Sequence, residues 1–293
     1  MFALRRNTGL IVLFFVIAQI LGVITGIIVQ RDMDSNPFVS GLVITADSNS
    51  PGNALFFLGY ILFGALLMIV MIRFLKNLSF IFALLEFWLI SSSSSIVFYA
   101  FLRFLFPVSF SYAQSTLIGI LMGLVLAAFK VFLPRLNLKN HAAILSTAGV
   151  GVVFGVSLGI YPVLLFLILL SVYDFLAVFM TKHMVEMADF VVKKDLAFTV
   201  TAHEIPPSEE HEEGERRMDL GTGDMIAPIM LEISAFSFSP VAALMVFLGA
   251  NVAMIGFLYM LGKKRVVLPA LPPIVFGMLF FLLLGFMLHL YSL

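Results

Sequence analysis

The sequence predicts an all-α, polytopic membrane protein, a bundle of about nine transmembrane helices arranged as six followed by three. Two compositional observations favour this class. Hydrophobic residues make up 61% of the 293 residues and charged residues only 12%, and mean hydropathy is +1.11, far above that of an ordinary soluble domain. In addition, the apolar runs are about 20 residues long, whereas strands of a membrane barrel would be about 10 residues long and alternate in polarity.

Composition also excludes several classes of function. The formal net charge is zero, so nothing indicates nucleic acid as a partner. The absence of cysteine excludes disulfides, thiolate metal sites and cysteine nucleophiles within the chain. Arg5 and Arg6 precede the first apolar stretch, 9–29, which is too long for a secretory signal and is followed by no small-residue cleavage site. We therefore expect a retained first helix.

Charges, prolines and asparagines divide the apolar runs into nine segments. The predicted helices cover residues 9–30, 54–75, 79–102, 112–133, 141–159, 161–182, 220–236, 239–262 and 266–289. Lys and Arg are retained on the cytoplasmic side of a membrane protein. With the amino terminus inside, 15 of the 17 basic residues lie on that side, and only Arg31 and Arg103 lie outside. We therefore expect a multi-pass protein of the cell membrane, with a cytoplasmic amino terminus and a carboxyl terminus outside.

One long polar stretch divides the chain. Residues 183–219 contain an acidic run at 208–215, which is typical of a mobile cytoplasmic loop. This loop separates an amino-terminal part, 1–182, from a carboxyl-terminal part, 220–293. The histidines and acids of the loop lack the spacing that places two metal ligands on one helix face, so no metal site is predicted. Residues 196–201 are rich in strand formers and can pair with an extended peptide.

Four carboxylates remain inside the predicted helices: Glu86, Asp174, Asp224 and Glu232. A carboxylate in a bilayer is costly, so each is a functional candidate by default. Asp174 lies about eight residues from the cytoplasmic end of the sixth helix, and Asp224 lies about one turn into the seventh. Because these helices run in opposite directions, both acids fall in the cytoplasmic half and meet if the helices are neighbours. For Glu86 and Glu232 a structural role is favoured, with Glu232 hydrogen-bonded to another helix.

Two carboxylates in a low-dielectric site can hydrolyse a peptide bond without a metal, a nucleophile or a cofactor. Ionising one carboxylate makes it costly to ionise the other, so the pair shares one proton. The ionised member takes a proton from water while the protonated member polarises the peptide carbonyl. The same acids can instead bind the coupling ion of a proton- or cation-coupled transporter, where Gly- and Pro-interrupted helices break. The physics of the residues alone leaves both alternatives open.

Two glycines precede Asp224 in the sequence. Gly221 and Gly223 lack Cβ atoms, so a second backbone can approach Asp224, although Gly-x-Gly-Asp taken alone also fits tight helix packing. The five consecutive serines 91–95 predict close helix packing, with their hydroxyls bonded to the preceding turn.

Three separated elements, in this order, resemble those of the presenilin and signal peptide peptidase family of intramembrane aspartyl proteases. Tyr173-Asp174 is similar to the Tyr-Asp of that family's sixth helix, Gly221-Thr222-Gly223-Asp224 to its Gly-x-Gly-Asp motif, and Pro269-Ala270-Leu271 to its Pro-Ala-Leu motif. The resemblance implies that Asp174 and Asp224 are the catalytic pair. It also implies a set of supporting or substrate-binding residues: Tyr173, Gly221, Thr222, Gly223, Leu268, Pro269, Ala270 and Leu271. Single-span transmembrane peptides would be the substrates, in a lipid bilayer and without a cofactor.

Two features depart from the family pattern. Residue 222 is Thr where eukaryotic members often have Leu, so subsite preference is not transferred. The connection 183–219 is shorter than the self-cleaved loop of presenilins, and the compact chain looks most like a prokaryotic or archaeal member. Prepilin-peptidase-like enzymes also use Gly-x-Gly-Asp but lack the Pro-Ala-Leu element. The sequence leaves open whether the protein forms a homo-oligomer.

The Pro-Ala-Leu segment suggests how a substrate helix is opened. Pro269, Pro272 and Pro273 lack amide donors, which leaves nearby carbonyls available to a partner. An unwound peptide in a membrane needs such backbone partners. We therefore expect residues 268–271, together with 196–201, to hold the substrate as a strand.

Overall fold

The structure is a computed structural model that describes residues 2–75, 78–133, 138–181, 183–203, 217–261 and 269–291. Within these residues the chain forms eleven α-helices and one two-stranded antiparallel sheet. The helices are α1 (Phe2–Asp32), α2 (Pro37–Ser40), α3 (Gly52–Leu75), α4 (Ser79–Leu105), α5 (Tyr112–Phe132), α6 (Lys139–Ser157), α7 (Ile160–Leu176), α8 (His183–Lys193), α9 (Thr222–Phe238), α10 (Pro240–Leu261) and α11 (Leu271–Met287). The strands are β1 (Thr199–His203) and β2 (Arg217–Gly221).

The predicted all-α, polytopic class is confirmed. Each predicted segment overlaps one helix of the described chain: α1, α3 to α7, and α9 to α11. Seven of these helices are long and apolar enough to cross a membrane, whereas α11 is a shorter apolar helix. Helix α9 has only 17 residues and carries two acids. The number of nine crossings therefore stays a prediction.

Burial distinguishes central helices from peripheral ones. In the 18-residue apolar stretch of each span, 56% of the residues are buried in α6 but only 11% in α3. Large apolar side chains on α3, such as Phe56 and Phe63, point away from the protein, as expected of a surface that contacts lipid tails. The protein interior is filled by side chains such as Phe15, Leu167 and Ile229.

The serine run of α4 packs closely against two neighbouring helices, as predicted. Ser93 Oγ donates to the carbonyl of Leu89 at 2.5 Å, one of several bonds from this run to the preceding turn. A Cβ built on Gly149 of α6 would lie 2.0 Å from the Ser93 carbonyl oxygen, and one built on Gly123 of α5 would lie 2.6 Å from that of Ser91. Small residues therefore bring these backbones together.

Regular structure occupies both ends of the stretch predicted to be a mobile loop. Helix α8 follows α7, and β1 pairs with β2 in a register that places Thr199 opposite Gly221 and His203 opposite Arg217. Residues 204–216, which include the acidic run, lie outside the described residues. The division of the chain into 1–182, 183–219 and 220–293 stays a prediction.

Candidate active site

The two predicted aspartates lie on neighbouring helices. Asp174 is near the carboxyl end of α7, Asp224 is in the first turn of α9, and these two helices are in contact. Asp174 is 5% exposed, whereas Asp224 is half-buried. Asp174 also lies within electrostatic range of Asp224. Two carboxylates in this relationship repel each other when both are ionised, which favours a single shared proton.

The regular α-helix changes immediately after Asp174. Helix α7 ends at Leu176, and the backbone continues as a π-helical segment, Ala177–Thr181. The amide of Ala177 is shared between the carbonyls of Tyr173 and Asp174. Such π-helical turns are frequent at functional sites because they re-aim side chains and widen the backbone. Asp174 therefore lies in the last turn before the helical register shifts.

The Pro-Ala-Leu segment contacts the first aspartate. The main-chain amide of Leu271, the first residue of α11, is directed at the Asp174 carboxylate. Pro269, Ala270 and Leu271 are all buried. Asp174 Oδ2 is buried without a hydrogen-bond partner among the described residues, so this oxygen has capacity for a proton, a water or a substrate group.

The second aspartate sits where a helix start favours negative charge. Gly221 is the residue that caps α9, so Asp224 is its third residue, in the turn where amides lack helical acceptors. A Cβ built on Gly221 would lie 3.4 Å from Asp224 Oδ2, whereas one built on Gly223 would meet nothing within 4 Å. The missing side chain at Gly221 therefore keeps space beside the carboxylate. Packing among the described residues does not require glycine at position 223.

Phe198, the residue directly before β1, holds the start of α9. The main-chain amide and the Oγ1 hydroxyl of Thr222 both donate to the carbonyl of Phe198, each at 3.1 Å. Thr222, singled out by the motif, is thus a structural link between the sheet and the helix that carries Asp224.

The expectation that residues 196–201 pair with a substrate stays a prediction, which the structure restricts at Thr201. Strand β1 pairs with β2 along one edge. On the other edge, both main-chain polar groups of Thr201 bond to the side chain of Asn140. Since a strand has only two edges, β1 is already occupied on both sides at Thr201.

The remaining predicted residues have different outcomes. Tyr173 is half-buried beside Asp174, and Leu268 lies outside the described residues. Glu86 is bonded to Lys130 and to the amide of Ala197, in agreement with its expected structural role. The expected hydrogen bond of Glu232 is not observed: this side chain is 0% exposed, and neither of its oxygens has a partner among the described residues.

Sequence reasoning missed Asn140 and the contact of Phe198 with α9, although Phe198 lies within the predicted stretch 196–201. Phe198 acts through its carbonyl, a group that every residue has, so no side-chain signal could have identified it. Asn140 lies beside a predicted helix boundary, where a polar residue is ordinary. The described residues also contain no group of three His, Cys, Asp or Glu side chains that could hold a metal ion.

Known proteins resemble this chain in sequence and in fold. A family model described as signal-peptide peptidase, presenilin aspartyl protease matches residues 12–289. A structure of a presenilin family intramembrane aspartate protease in the C222 space group is 26% identical, has a TM-score of 0.66, and the match covers 94% of this chain and 97% of that one. A structure of a protein with the same description in the P2 space group is 25% identical, has a TM-score of 0.61, and the match covers 94% and 96%. No curated protein has a significantly similar sequence.

Proposed function

Because the chain belongs to the signal-peptide peptidase and presenilin family of aspartyl proteases, we propose that it hydrolyses peptide bonds of membrane-embedded helices with Asp174 and Asp224 as its catalytic pair. Family membership and the two similar structures support intramembrane aspartyl proteolysis over the transporter alternative. The observation that supports the choice of residues is the position of the two acids on adjoining helices, with Asp174 in electrostatic range of Asp224.

The chemistry follows from one proton shared by two carboxylates. The ionised aspartate takes a proton from a water molecule, whose oxygen then bonds to the peptide carbonyl carbon. The protonated aspartate gives its proton to the carbonyl oxygen, so no oxyanion is left in a low-dielectric site. When the tetrahedral species collapses, the C–N bond breaks and the amine takes the proton of the protonated aspartate. A hydroxyl of the tetrahedral species gives its proton to the other aspartate as it becomes the new carbonyl, so the pair again holds one proton.

The segment before α11 is suited to hold an opened substrate. In a helix the carbonyl of Pro269 would accept from the amide of residue 273, which is a proline without a donor. The carbonyl of Ala270, in contrast, accepts from Ile274 at 3.3 Å. Pro269 therefore offers an acceptor to an extended peptide, while the amide of Leu271 is directed at Asp174. Both features support the proposal that this segment, beside Asp174, binds the opened substrate.

The charge distribution orients the protein in the cell membrane. With a cytoplasmic amino terminus, 15 of the 17 Lys and Arg residues lie inside. The carboxyl end of α7 and the start of α9 then face the cytoplasm, so peptide bonds in the cytoplasmic half of a substrate helix are cut. Single-span transmembrane peptides are the substrate class.

Cleavage by the purified chain tests this function. The protein is reconstituted in liposomes with a single-span peptide, and the products are identified by mass spectrometry. Asp174→Asn and Asp224→Asn, each nearly isosteric, should lower the cleavage rate about a thousandfold or more, because one acid cannot fill both roles. Asp34→Asn, at an exposed acid, is the control and should cut normally. Appreciable turnover by either variant in its folded state would contradict the proposal that Asp174 and Asp224 are the catalytic pair.

A further inference from the structure

Glu86 is a buried carboxylate on a helix that carries neither aspartate. It is 3% exposed and lies seven residues after the start of α4 at Ser79, which corresponds to about 10 Å along the helix axis. A charge at this depth is costly unless it is paired and hydrogen-bonded. Its partners therefore show what the charge is used for.

The partners of Glu86 converge on one short piece of main chain. Glu86 Oε1 forms an ion pair with Lys130 Nζ of α5, and it accepts a hydrogen bond from the amide of Ala197 at 2.6 Å. Lys130 Nζ also donates to the carbonyl of Asp195 at 2.9 Å. Both members of the ion pair thus bind residues 195–197, which lead directly into β1. Leu196 and Ala197 are themselves buried, so this segment is held by packing as well.

The same segment continues to the catalytic helix. Phe198 follows Ala197, and its carbonyl accepts both hydrogen bonds from Thr222, each at 3.1 Å. Thr222 is the first residue of α9, two positions before Asp224. A continuous path therefore runs from the Glu86 carboxylate through residues 197–198 to the turn that carries Asp224.

We propose that Glu86 and the Thr222 hydroxyl are positioning residues that fix Asp224 relative to Asp174. The proposal rests on the proposed function, in which Asp224 is catalytic. Neither group needs to touch substrate, because Glu86 acts on the main chain of Ala197 and the Thr222 hydroxyl acts on that of Phe198. A displacement of about 1 Å at a reacting group can cost about a hundredfold in rate. Loosening residues 195–198 should consequently reduce catalysis more than it reduces substrate binding.

Graded substitutions test each contact by activity. Glu86→Ala removes the acceptor for the Ala197 amide, and we expect kcat to fall about 10- to 100-fold with KM within about twofold. Glu86→Gln keeps an acceptor oxygen and should lose less. Thr222→Val should lower kcat about tenfold. Thr222→Ser retains the hydroxyl, so its kcat should stay close to that of the wild type. Ser92→Ala, on an exposed position of the same helix α4, is the matched control and should leave kcat unchanged.

A double variant tests whether the two residues act through one segment. If Glu86→Ala already frees residues 195–198, adding Thr222→Val should cost less than the product of the two single effects. Multiplicative losses in the double variant would show independent contacts and overturn the proposal. Wild-type kcat in folded Glu86→Ala would also overturn it.

Hydrogen exchange measured by mass spectrometry gives a readout that does not depend on activity. In Glu86→Ala, peptides covering 195–201 and 221–226 should exchange faster than in the wild type, whereas peptides covering 229–238 should not change. Faster exchange throughout the chain would show general destabilisation and would overturn a positioning role. An active Asp224→Asn would instead contradict the proposed function, and exchange would still report whether Glu86 holds the start of α9.

Discussion

The side chain of Asn140, at the start of α6, makes the two hydrogen bonds with the Thr201 main chain that a neighbouring strand would otherwise make. Asn140 Nδ2 donates to the Thr201 carbonyl at 2.8 Å, and the Thr201 amide donates to Asn140 Oδ1 at 2.9 Å. A side-chain amide carries an N–H donor and a carbonyl acceptor side by side, at the spacing needed to satisfy both main-chain groups of one residue. The contact fastens the hairpin to the helix bundle and occupies the outer edge of β1 at Thr201.

Removing this contact should loosen the hairpin. Asn140→Ala leaves two main-chain groups of Thr201 without partners, so we expect a loss of about 1–3 kcal/mol in the free energy of unfolding. The thermal unfolding temperature in detergent measures this loss. His141→Ala, at the exposed neighbouring position, is the control and should change it little. Equal unfolding temperatures for the two variants would show that the Asn140 contact does not stabilise the hairpin.

Close packing against the serine run predicts a sharp contrast between two glycines. Gly149→Ala places a Cβ 2.0 Å from the Ser93 carbonyl oxygen, and since this neighbour is backbone, the helices must separate. We expect a loss of about 1–3 kcal/mol or more, as for overpacked cores. Gly64→Ala meets nothing within 4 Å and should be neutral or slightly stabilising. Thermal unfolding of both variants checks the contrast, which would be lost if both behaved alike.

At the opposite end of the bundle, Asp32 joins α1 to α4. Its carboxylate, 2% exposed, accepts from the hydroxyl of Tyr99 at 2.8 Å and from Nε of Arg103 at 3.0 Å. Asp32→Asn leaves the buried guanidinium without its counter-charge, so we expect a loss of about 3–5 kcal/mol. Asp34→Asn, at an exposed position, should have little effect. Comparable unfolding temperatures for the two variants would contradict this account.

Substrate unwinding should limit cleavage. Each glycine lowers helix stability by about 1 kcal/mol relative to alanine, so two glycines beside the scissile bond should speed cleavage about tenfold or more. The same pair placed at the far end of the substrate helix is the control. Leu271→Gly, which changes the segment beside Asp174, should slow cleavage without unfolding the protein. Equal rates for stiff and glycine-interrupted substrates, together with an active Leu271→Gly, would refute strand-like binding.

A shared proton predicts a bell-shaped dependence of rate on pH. The pair is active with one proton, so activity should fall at low pH when it binds a second proton and at high pH when it loses the first. Steady-state rates across pH, with folding monitored in parallel, measure both limbs. Metal chelators should leave the rate unchanged. Inhibition by a chelator that a divalent ion reverses would count against the aspartate mechanism.

The sequence alone determined the membrane class, the positions of the long helices and the two candidate aspartates. These follow from local properties: an apolar run of sufficient length forms a helix in lipid, and a carboxylate within it, such as Asp174, is costly wherever the chain folds. The motif resemblance then indicated which acids form a pair, and the family comparison agrees with the reaction class it implied.

Tertiary structure decided which groups surround the segments that carry these aspartates. Glu86 accepts hydrogen bonds from Lys130 and from the Ala197 amide, and Thr222 donates to the carbonyl of Phe198. Nothing in the sequence marks the main-chain partners, because every residue except proline has the same amide and carbonyl. Only the packed helices decide which of these groups meet, and which lysine reaches Glu86. The same reason explains why residues predicted as a loop form a hairpin and why Glu232, expected to bond to a neighbour, is buried among apolar helices with no partner in the described residues.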